Sequence, residues 1–246
     1  MGSGDDYTQI CTLLNDEFCC LTVDLPGHGN TKVMGGAECY TMSQTARGLM
    51  KLLDRLKIDK CFLVGYSMGG RLALYLTIHF PKRFSQVILE SSSPGLKTAQ
   101  DRLNRRKADE ELAQKLENSS FKSFLIQWYH RPLFTSLTQH SDFEQLIERR
   151  MQQNPKELAK SLRSIGTGNQ PSLWEQLPKH SVPLLLLVGE CDDKFTQINA
   201  NLAQNCPAAQ LEIIPHTGHN IHFENPGFYL KKLINYFRSS DCIGST

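Results

Sequence analysis

Mostly apolar segments of strand length alternate with helical segments along the chain, and this alternation is the feature that most constrains the fold. Four such segments lie at 61–64, 87–89, 184–188 and 211–214, and a fifth lies at 18–23. Strands that are buried on both faces have this composition, whereas strands with one wet face alternate in polarity. Strands of this kind separated by helices predict an α/β protein with a mostly parallel sheet and helices on both faces.

Helical periodicity predicts the helices that accompany these strands. They run over 41–57, 68–80 and 228–237, and Pro81 ends the second of them. Thr41 and Gln44 have the spacing of a capping box at the start of the first helix.

A long region without strand character interrupts the series of predicted strands. Residues 94–179 are rich in helix formers and charges, and they lie between the strands at 87–89 and 184–188. A helical cap inserted into an α/β core has this pattern, and it would close a pocket over the carboxyl ends of the strands. We therefore predict a core formed by 1–93 and 180–246 and a cap formed by 94–179.

Composition excludes several classes of protein. The chain of 246 residues has 27 Lys and Arg against 25 Asp and Glu, a net charge of +2, so it has no field that would attract nucleic acid or an acidic membrane surface. No apolar run approaches the roughly 20 residues that a membrane-spanning helix needs. The 8 cysteines form no CxxC pair, which favours a reducing, cytoplasmic compartment over a disulfide scaffold.

A glycine-rich turn carries the strongest functional signal. Residues 65–70 read GYSMGG, and they join the predicted strand at 61–64 to a predicted helix. A nucleophile elbow has this context, because its serine is displayed on a sharp turn between a strand and a helix. The N-terminus of that helix favours negative charge developing on the serine. We therefore predict that Ser67 is a nucleophile rather than a serine in an ordinary turn.

A nucleophilic serine needs a base and an orienting carboxylate, and the chain offers both after later strands. The order Ser67, Asp192, His219 is the order of an α/β-hydrolase triad. Each residue follows the carboxyl end of a predicted strand, where open α/β sheets place their sites. Asp193 and Glu90 are alternative acids.

Two histidines flank the predicted base. His216 and His222 each lie three residues from His219. Because no cysteine or carboxylate is obviously paired with them, we predict no metal site here.

A cation lies in the first turn of the predicted elbow helix. Arg71 is four residues after Ser67 and therefore on the same side of the helix. The helix dipole opposes a cation at this end, so Arg71 is expected to face an anion. That anion is either a nearby acidic side chain or a substrate carboxylate, which an arginine binds through two parallel hydrogen bonds. The fold alone does not choose between an esterase, a lipase, a C–C hydrolase and a lyase.

Taken together, these segments resemble one enzyme family over nearly the whole chain, the 2-succinyl-6-hydroxy-2,4-cyclohexadiene-1-carboxylate synthases of menaquinone and phylloquinone biosynthesis. The most specific features are Arg71 after the glycine pair, PGL at 94–96 before an arginine-rich segment, and QPSLW at 170–174. DLPGHG at 24–29 and GHNIHFENP at 218–226 have parallels across α/β-hydrolases. The resemblance implies an α/β-hydrolase fold, no cofactor, and elimination of pyruvate from a small polycarboxylate substrate that carries a 5-enolpyruvyl group.

The resemblance also implies roles for individual residues. His219 with Asp192 would activate Ser67, which would act in removal of a proton alpha to the succinyl carbonyl rather than in acyl transfer. For Trp128, the residues alone favour packing within the cap. The positions that match the family's substrate contacts are Tyr66, Arg71, Arg105, Trp128 and Arg150.

The start of the chain departs from the family pattern. Members carry a strand region and a His-Gly-Phe-like turn before the block that begins here at Met1, and that turn gives a backbone donor to the oxyanion hole. We therefore expect the first strands of the fold and this donor to be missing, and the chain to be less stable and less active than one extended upstream. The alternatives to a lyase are a serine esterase or C–C bond hydrolase on the same triad, and a non-catalytic binding protein with a hydrolase fold.

Overall fold

The computed structural model describes residues 1–239, and four strands within them form one parallel sheet. Neighbouring strands in the sheet are also consecutive in the chain, and all three pairings are parallel. β3 is buried at all of its positions, as an interior parallel strand should be. The prediction of a parallel sheet is confirmed. The strands are β1 (Cys61–Tyr66), β2 (Phe84–Glu90), β3 (Leu184–Gly189) and β4 (Ala209–Ile214).

Helices connect the strands and fill the long interval between β2 and β3. The three predicted helices are confirmed as α2, α3 and α11. The α-helices are α1 (Thr8–Leu14), α2 (Met42–Arg55), α3 (Met68–His79), α4 (Ala99–Asn118), α5 (Phe121–Tyr129), α6 (Thr135–Thr138), α7 (Phe143–Met151), α8 (Pro155–Ile165), α9 (Asp193–Asn205), α10 (Ile221–Glu224) and α11 (Pro226–Arg238). Short 3-10 helices lie at Gly4–Tyr7, Ala37–Tyr40, Pro81–Arg83, Pro132–Phe134 and Trp174–Lys179. None of the helices in the described part of the chain combines the length and the apolar character that a membrane crossing requires.

The sheet belongs to one of two compact units of the chain. This unit contains 5–22, 60–93 and the described residues from 176 onward. Buried side chains of α1, the sheet and α11 form its core, and the rings of Phe62 and Phe237 stack there with centroids 4.5 Å apart. This core holds the strands from which the elbow and the later loops project.

The other compact unit is helical and contains 1–4, 23–59 and 94–175. Its core includes buried side chains of α4, α5 and α8. Arg163 of α8 forms ion pairs of 2.8 and 2.5 Å with Glu110 and Glu117 of α4. Residues 94–175 contain helices and no strand, and the boundaries of the cap at 94 and 179 stay a prediction.

Two local predictions are wrong. Residues 18–23 form no strand ladder within the described chain. The composition of this segment favours an extended backbone, but a strand also needs a neighbouring edge, which local sequence does not supply. The capping box at Thr41 does not form, and the Thr41 hydroxyl donates to the carbonyl of Glu38 at 2.8 Å.

Candidate active site

Ser67 lies at the sharp turn between β1 and α3. Its backbone has φ 48° and ψ −104°, in the positive-φ region that a residue with a side chain rarely adopts. The Ser67 amide donates to the carbonyl of Glu90 at 2.8 Å, and the Ser67 carbonyl accepts from the amide of Arg71 at 3.0 Å. The turn is therefore held from both sides, by β2 and by the first turn of α3, which is how a strained backbone persists in a folded protein.

Glycines beside the serine allow this turn to form. A Cβ at Gly65 would lie 2.6 Å from the carbonyl oxygen of Gly69, and a Cβ at Gly70 would lie 2.6 Å from the Cβ of Ser92. Both distances are below any normal carbon contact. Glycine is therefore needed at both positions. Here β1, α3 and the segment after β2 approach one another too closely to leave room for a side chain.

The structure brings Ser67, His219 and Asp192 together. Nδ1 of His219 lies 2.6 Å from Oδ2 of Asp192, and Nε2 of His219 lies 3.0 Å from Oγ of Ser67. The Asp192 and His219 residues are 3% and 2% exposed. A proton on Nδ1 that is donated to the carboxylate leaves Nε2 free to accept the serine proton, which is the geometry that nucleophilic or basic serine chemistry needs.

Local structure fixes the two partners of the serine. Asp192 follows β3 and is the N-cap of α9, because its Oδ1 accepts from the amide of Phe195 at 3.2 Å. His219 follows β4, and its ring packs near the rings of Tyr66 and Phe195 at centroid distances of 5.4 and 4.6 Å. The aspartate has few ways to rotate, and the imidazole is held by aromatic neighbours.

The alternative residues considered from the sequence occupy other environments. Asp193 is exposed as the first residue of α9. The carboxylate of Glu90 is buried and contacts Nδ1 of His222 at 2.8 and 3.0 Å. The side chain of His216 is 95% exposed. Across residues 1–239, no cluster of His, Cys, Asp or Glu has the arrangement of a metal site.

Two of the predicted substrate-contacting residues lie in the same compact unit as these three residues. Tyr66 is the last residue of β1, and Arg71 lies in the first turn of α3. Arg71 is 9% exposed, although it carries a positive charge at the helix end that disfavours one. A guanidinium that is buried in the helix directly after the serine is a group that can bind an anion.

The other three predicted contact residues lie in the helical unit. Nε of Arg105 donates to Asp109 at 2.7 Å. Trp128 packs with Phe124 at a centroid distance of 6.0 Å, in the internal packing that the residues alone favour. Its face is also covered by the guanidinium of Arg131 at 4.3 Å.

Arg150 is the most deeply buried of these three residues. It is 3% exposed, and its Nε donates to the hydroxyl of Tyr129 at 3.1 Å. His28 is also buried in this unit, and burial, together with the positive charges of the amino terminus and Arg150, lowers the pKa of its imidazole to about 3. His28 is therefore neutral at physiological pH.

Sequence reasoning missed two contacts around His219. One is the contact of the Phe195 ring with His219, and the other is the pairing of Glu90 with the nearby His222. Both contacts join residues that are distant in the chain. The sequence did contain a signal for the second contact. Glu90 is an acidic residue at the end of a buried apolar strand, where a charged side chain requires a partner. The sequence does not identify that partner.

Comparisons with known proteins agree with the hydrolase-like arrangement of these residues. The model of the alpha/beta hydrolase fold family matches residues 1–226. A relative from Bacillus subtilis (strain 168), provisionally named a 2-succinyl-6-hydroxy-2,4-cyclohexadiene-1-carboxylate synthase, is 36% identical over 97% of this chain and 87% of its own. A synthase of that name from Serratia proteamaculans (strain 568) is 33% identical over 96% of this chain and 89% of its own. The structure of MenH from S. aureus has a TM-score of 0.93 and 34% identity, over 97% of this chain and 90% of that one. With this fold, and at these identities over most of both chains, the protein belongs to the 2-succinyl-6-hydroxy-2,4-cyclohexadiene-1-carboxylate synthase family of alpha/beta hydrolases.

Proposed function

We propose that this protein eliminates pyruvate from 2-succinyl-5-enolpyruvyl-6-hydroxy-3-cyclohexene-1-carboxylate and releases 2-succinyl-6-hydroxy-2,4-cyclohexadiene-1-carboxylate. Membership of the synthase family makes it a lyase of menaquinone and phylloquinone biosynthesis on an α/β-hydrolase fold. The observation that carries the proposal is the hydrogen-bonded series Ser67, His219 and Asp192 in a chain related to these synthases over most of its length.

The proposed reaction begins with proton transfer through the triad. Nε2 of His219 takes the proton of the Ser67 hydroxyl, and the Ser67 oxygen takes the proton alpha to the succinyl carbonyl. The electron pair of the broken C–H bond forms a new ring double bond at that carbon, the existing ring double bond shifts by one position, and the C–O bond to the enolpyruvyl group breaks. The departing enolpyruvate takes up the proton held by His219 and becomes pyruvate. Asp192 stabilises the imidazolium that forms, at a separation of 2.6 Å.

Arg71 is the residue that we propose for binding a substrate carboxylate nearest to the serine. The charge on the substrate explains a cation that the helix dipole disfavours, and burial strengthens its attraction for an anion. The family resemblance supports further contacts from Tyr66, Arg105, Trp128 and Arg150. We also propose that 94–179 acts as the cap, since helices alone occupy this interval.

Two substrates offered in parallel test the function. The enolpyruvyl precursor and a p-nitrophenyl ester are each supplied to the wild type and to Ser67→Ala, and pyruvate and p-nitrophenol are measured. We expect pyruvate release by the wild type and its loss in Ser67→Ala. Release of p-nitrophenol without pyruvate would show an esterase, and ligand binding without either product would show a binding protein.

We further propose that the protein works in the reducing cytoplasm. The cysteines at 11, 19, 20, 39, 61, 191 and 206 are all free, and stable disulfides are rare in that compartment. Titration of free thiols in protein extracted under alkylating conditions tests this, and recovery of oxidised cysteines would contradict it.

A further inference from the structure

A second buried carboxylate–imidazole pair includes His222, three residues after His219, and the mechanism above does not use it. Glu90 is 0% exposed and His222 is 4% exposed. Nδ1 of His222 lies 3.0 and 2.8 Å from the two carboxylate oxygens of Glu90. The backbone amide of His222 donates to the same carboxylate at 3.1 Å.

Glu90 is joined both to the nucleophile and to the segment that carries the base. It is the last residue of β2, and its backbone carbonyl accepts from the amide of Ser67 at 2.8 Å. Its side chain binds His222, which lies in α10, three residues after His219. A single residue therefore connects the nucleophile elbow to the loop and helix that follow β4.

The aromatic rings around the pair extend this connection. The ring of Tyr66 lies 5.4 Å from that of His219 and 4.8 Å from that of His222. Tyr7 stacks on His222 at 4.6 Å with an interplanar angle of 16°. A rotation of the His222 ring would thus disturb the packing of Tyr66 against His219.

Stability alone does not account for such a pair. Removing a carboxylate from water is costly, and apolar residues of similar volume commonly stabilise a core as well or better. What hydrogen bonds add is direction, since each is strong only over a narrow range of distance and angle. The pair is therefore suited to fixing the relative position of two backbone segments.

We propose that Glu90 and His222 are positioning residues that fix the separation of the Ser67 hydroxyl and the His219 imidazole. The inference rests on the proposed function to the extent that Ser67 and His219 do the chemistry. Loss of the pair is expected to lower kcat and leave KM unchanged, because it alters the alignment of reacting groups and removes no contact proposed for the substrate.

The test uses a double variant that leaves no unpaired charge. In Glu90→Gln with His222→Phe, the amide oxygen keeps an acceptor for the backbone of residue 222, and the phenyl ring keeps the aromatic packing. His222→Asn retains a donor near the position of Nδ1 and serves as the conservative rescue. His216→Phe is the matched control, because this histidine lies at the same spacing on the other side of His219 and is exposed.

Three quantities are measured for each variant: kcat and KM for pyruvate release, the rate at which a fluorophosphonate labels Ser67, and the melting temperature. We expect the double variant to lose at least tenfold in both kcat and labelling rate with KM within twofold. His222→Asn should recover at least half of the loss on a logarithmic scale, and His216→Phe should match the wild type.

Several results would overturn the proposal. Unchanged labelling and kcat per folded molecule would show a merely structural pair, even with a lower melting temperature. If the double variant does not fold, Glu90→Gln alone is measured, and a loss below threefold in both rates counts against positioning. A wild type that is labelled but releases no pyruvate refutes the proposed function and leaves the labelling comparison decisive for Glu90 and His222. A wild type that releases pyruvate but is not labelled leaves the comparison of kcat decisive, and a wild type that does neither refutes both.

Discussion

Replacing Asp192, the proposed acid, by its amide gives the sharpest prediction about the chemistry. In Asp192→Asn the side chain keeps its shape and keeps an oxygen for the amide of Phe195, which it caps at 3.2 Å in the wild type. Because Asn and Asp are nearly equivalent N-caps, α9 should be unaffected. The amide can also present its NH2 group to Nδ1 of His219, which favours the tautomer that carries its proton on Nε2.

The magnitude follows from the position of that proton. A proton on Nε2, which lies 3.0 Å from the Ser67 hydroxyl oxygen, prevents the ring from accepting the serine proton. In serine hydrolases, the same change lowers kcat by about 10,000-fold, which corresponds to a barrier higher by about 5.4 kcal/mol. Since Asp192 and His219 are almost fully buried, water cannot readily replace the missing carboxylate. We therefore expect kcat for pyruvate release to fall by about 1,000- to 10,000-fold with KM nearly unchanged.

Pyruvate release is followed by coupling it to lactate dehydrogenase and recording the loss of NADH absorbance. Asp193→Asn is the matched control, since it is the same chemical change at the neighbouring, exposed position, and its kcat should equal that of the wild type. Melting temperatures of the two variants should agree within a few degrees. A fall in kcat of less than tenfold in folded Asp192→Asn would refute the role given to this carboxylate.

Three further changes test the anion site, the buried histidine and the elbow. Arg71→Ala should raise KM or lower kcat for the precursor while the chain still folds, and a normal kcat/KM would refute carboxylate binding. Because the pKa of His28 falls from 6.5 in the unfolded chain to about 3 in the folded protein, the unfolded chain binds the extra proton, so the free energy of unfolding decreases as the pH falls. Between pH 7.5 and 5.0, urea titrations should show a loss about 2 kcal/mol larger for the wild type than for His28→Gln, and equal losses would contradict this. Gly65→Ala places a Cβ 2.6 Å from backbone and should cost at least about 1–3 kcal/mol of unfolding free energy, whereas Gly48→Ala, which has open space in α2, should gain up to about 1 kcal/mol; equal effects would refute the steric argument.

Local sequence was sufficient for the elements whose pattern reflects burial. β3 is apolar along its length and is buried at each position, so its composition predicts both the strand and its place inside a parallel sheet. Residues 18–23 have a similar composition but form no ladder within the described chain. The difference depends on whether an adjacent edge is available, and no window of local sequence contains that information.

The meeting of Ser67, His219 and Asp192 could be predicted from chain order, because a parallel sheet brings the carboxyl ends of its strands to one edge. The partner of Glu90 could not be predicted in this way. The carboxylates of Glu90 and Asp192 could each pair with a histidine after β4, and only the turn into α10 shows that His222 pairs with Glu90. Aromatic contacts such as that of Phe195 with His219 likewise depend on side-chain directions that spacing does not give.

The direct pairing of β2 with β3 has an evolutionary consequence. Glu90 and Leu187 are partners in one ladder, yet residues 91–183 separate the two strands in the chain. The entropic cost of closing such a connection grows only logarithmically with its length. Insertions and deletions in this segment therefore change the free energy of the sheet by little. Proteins that share this ladder can therefore differ in the length and composition of 94–175, and such differences leave the pairing of β2 with β3 in place.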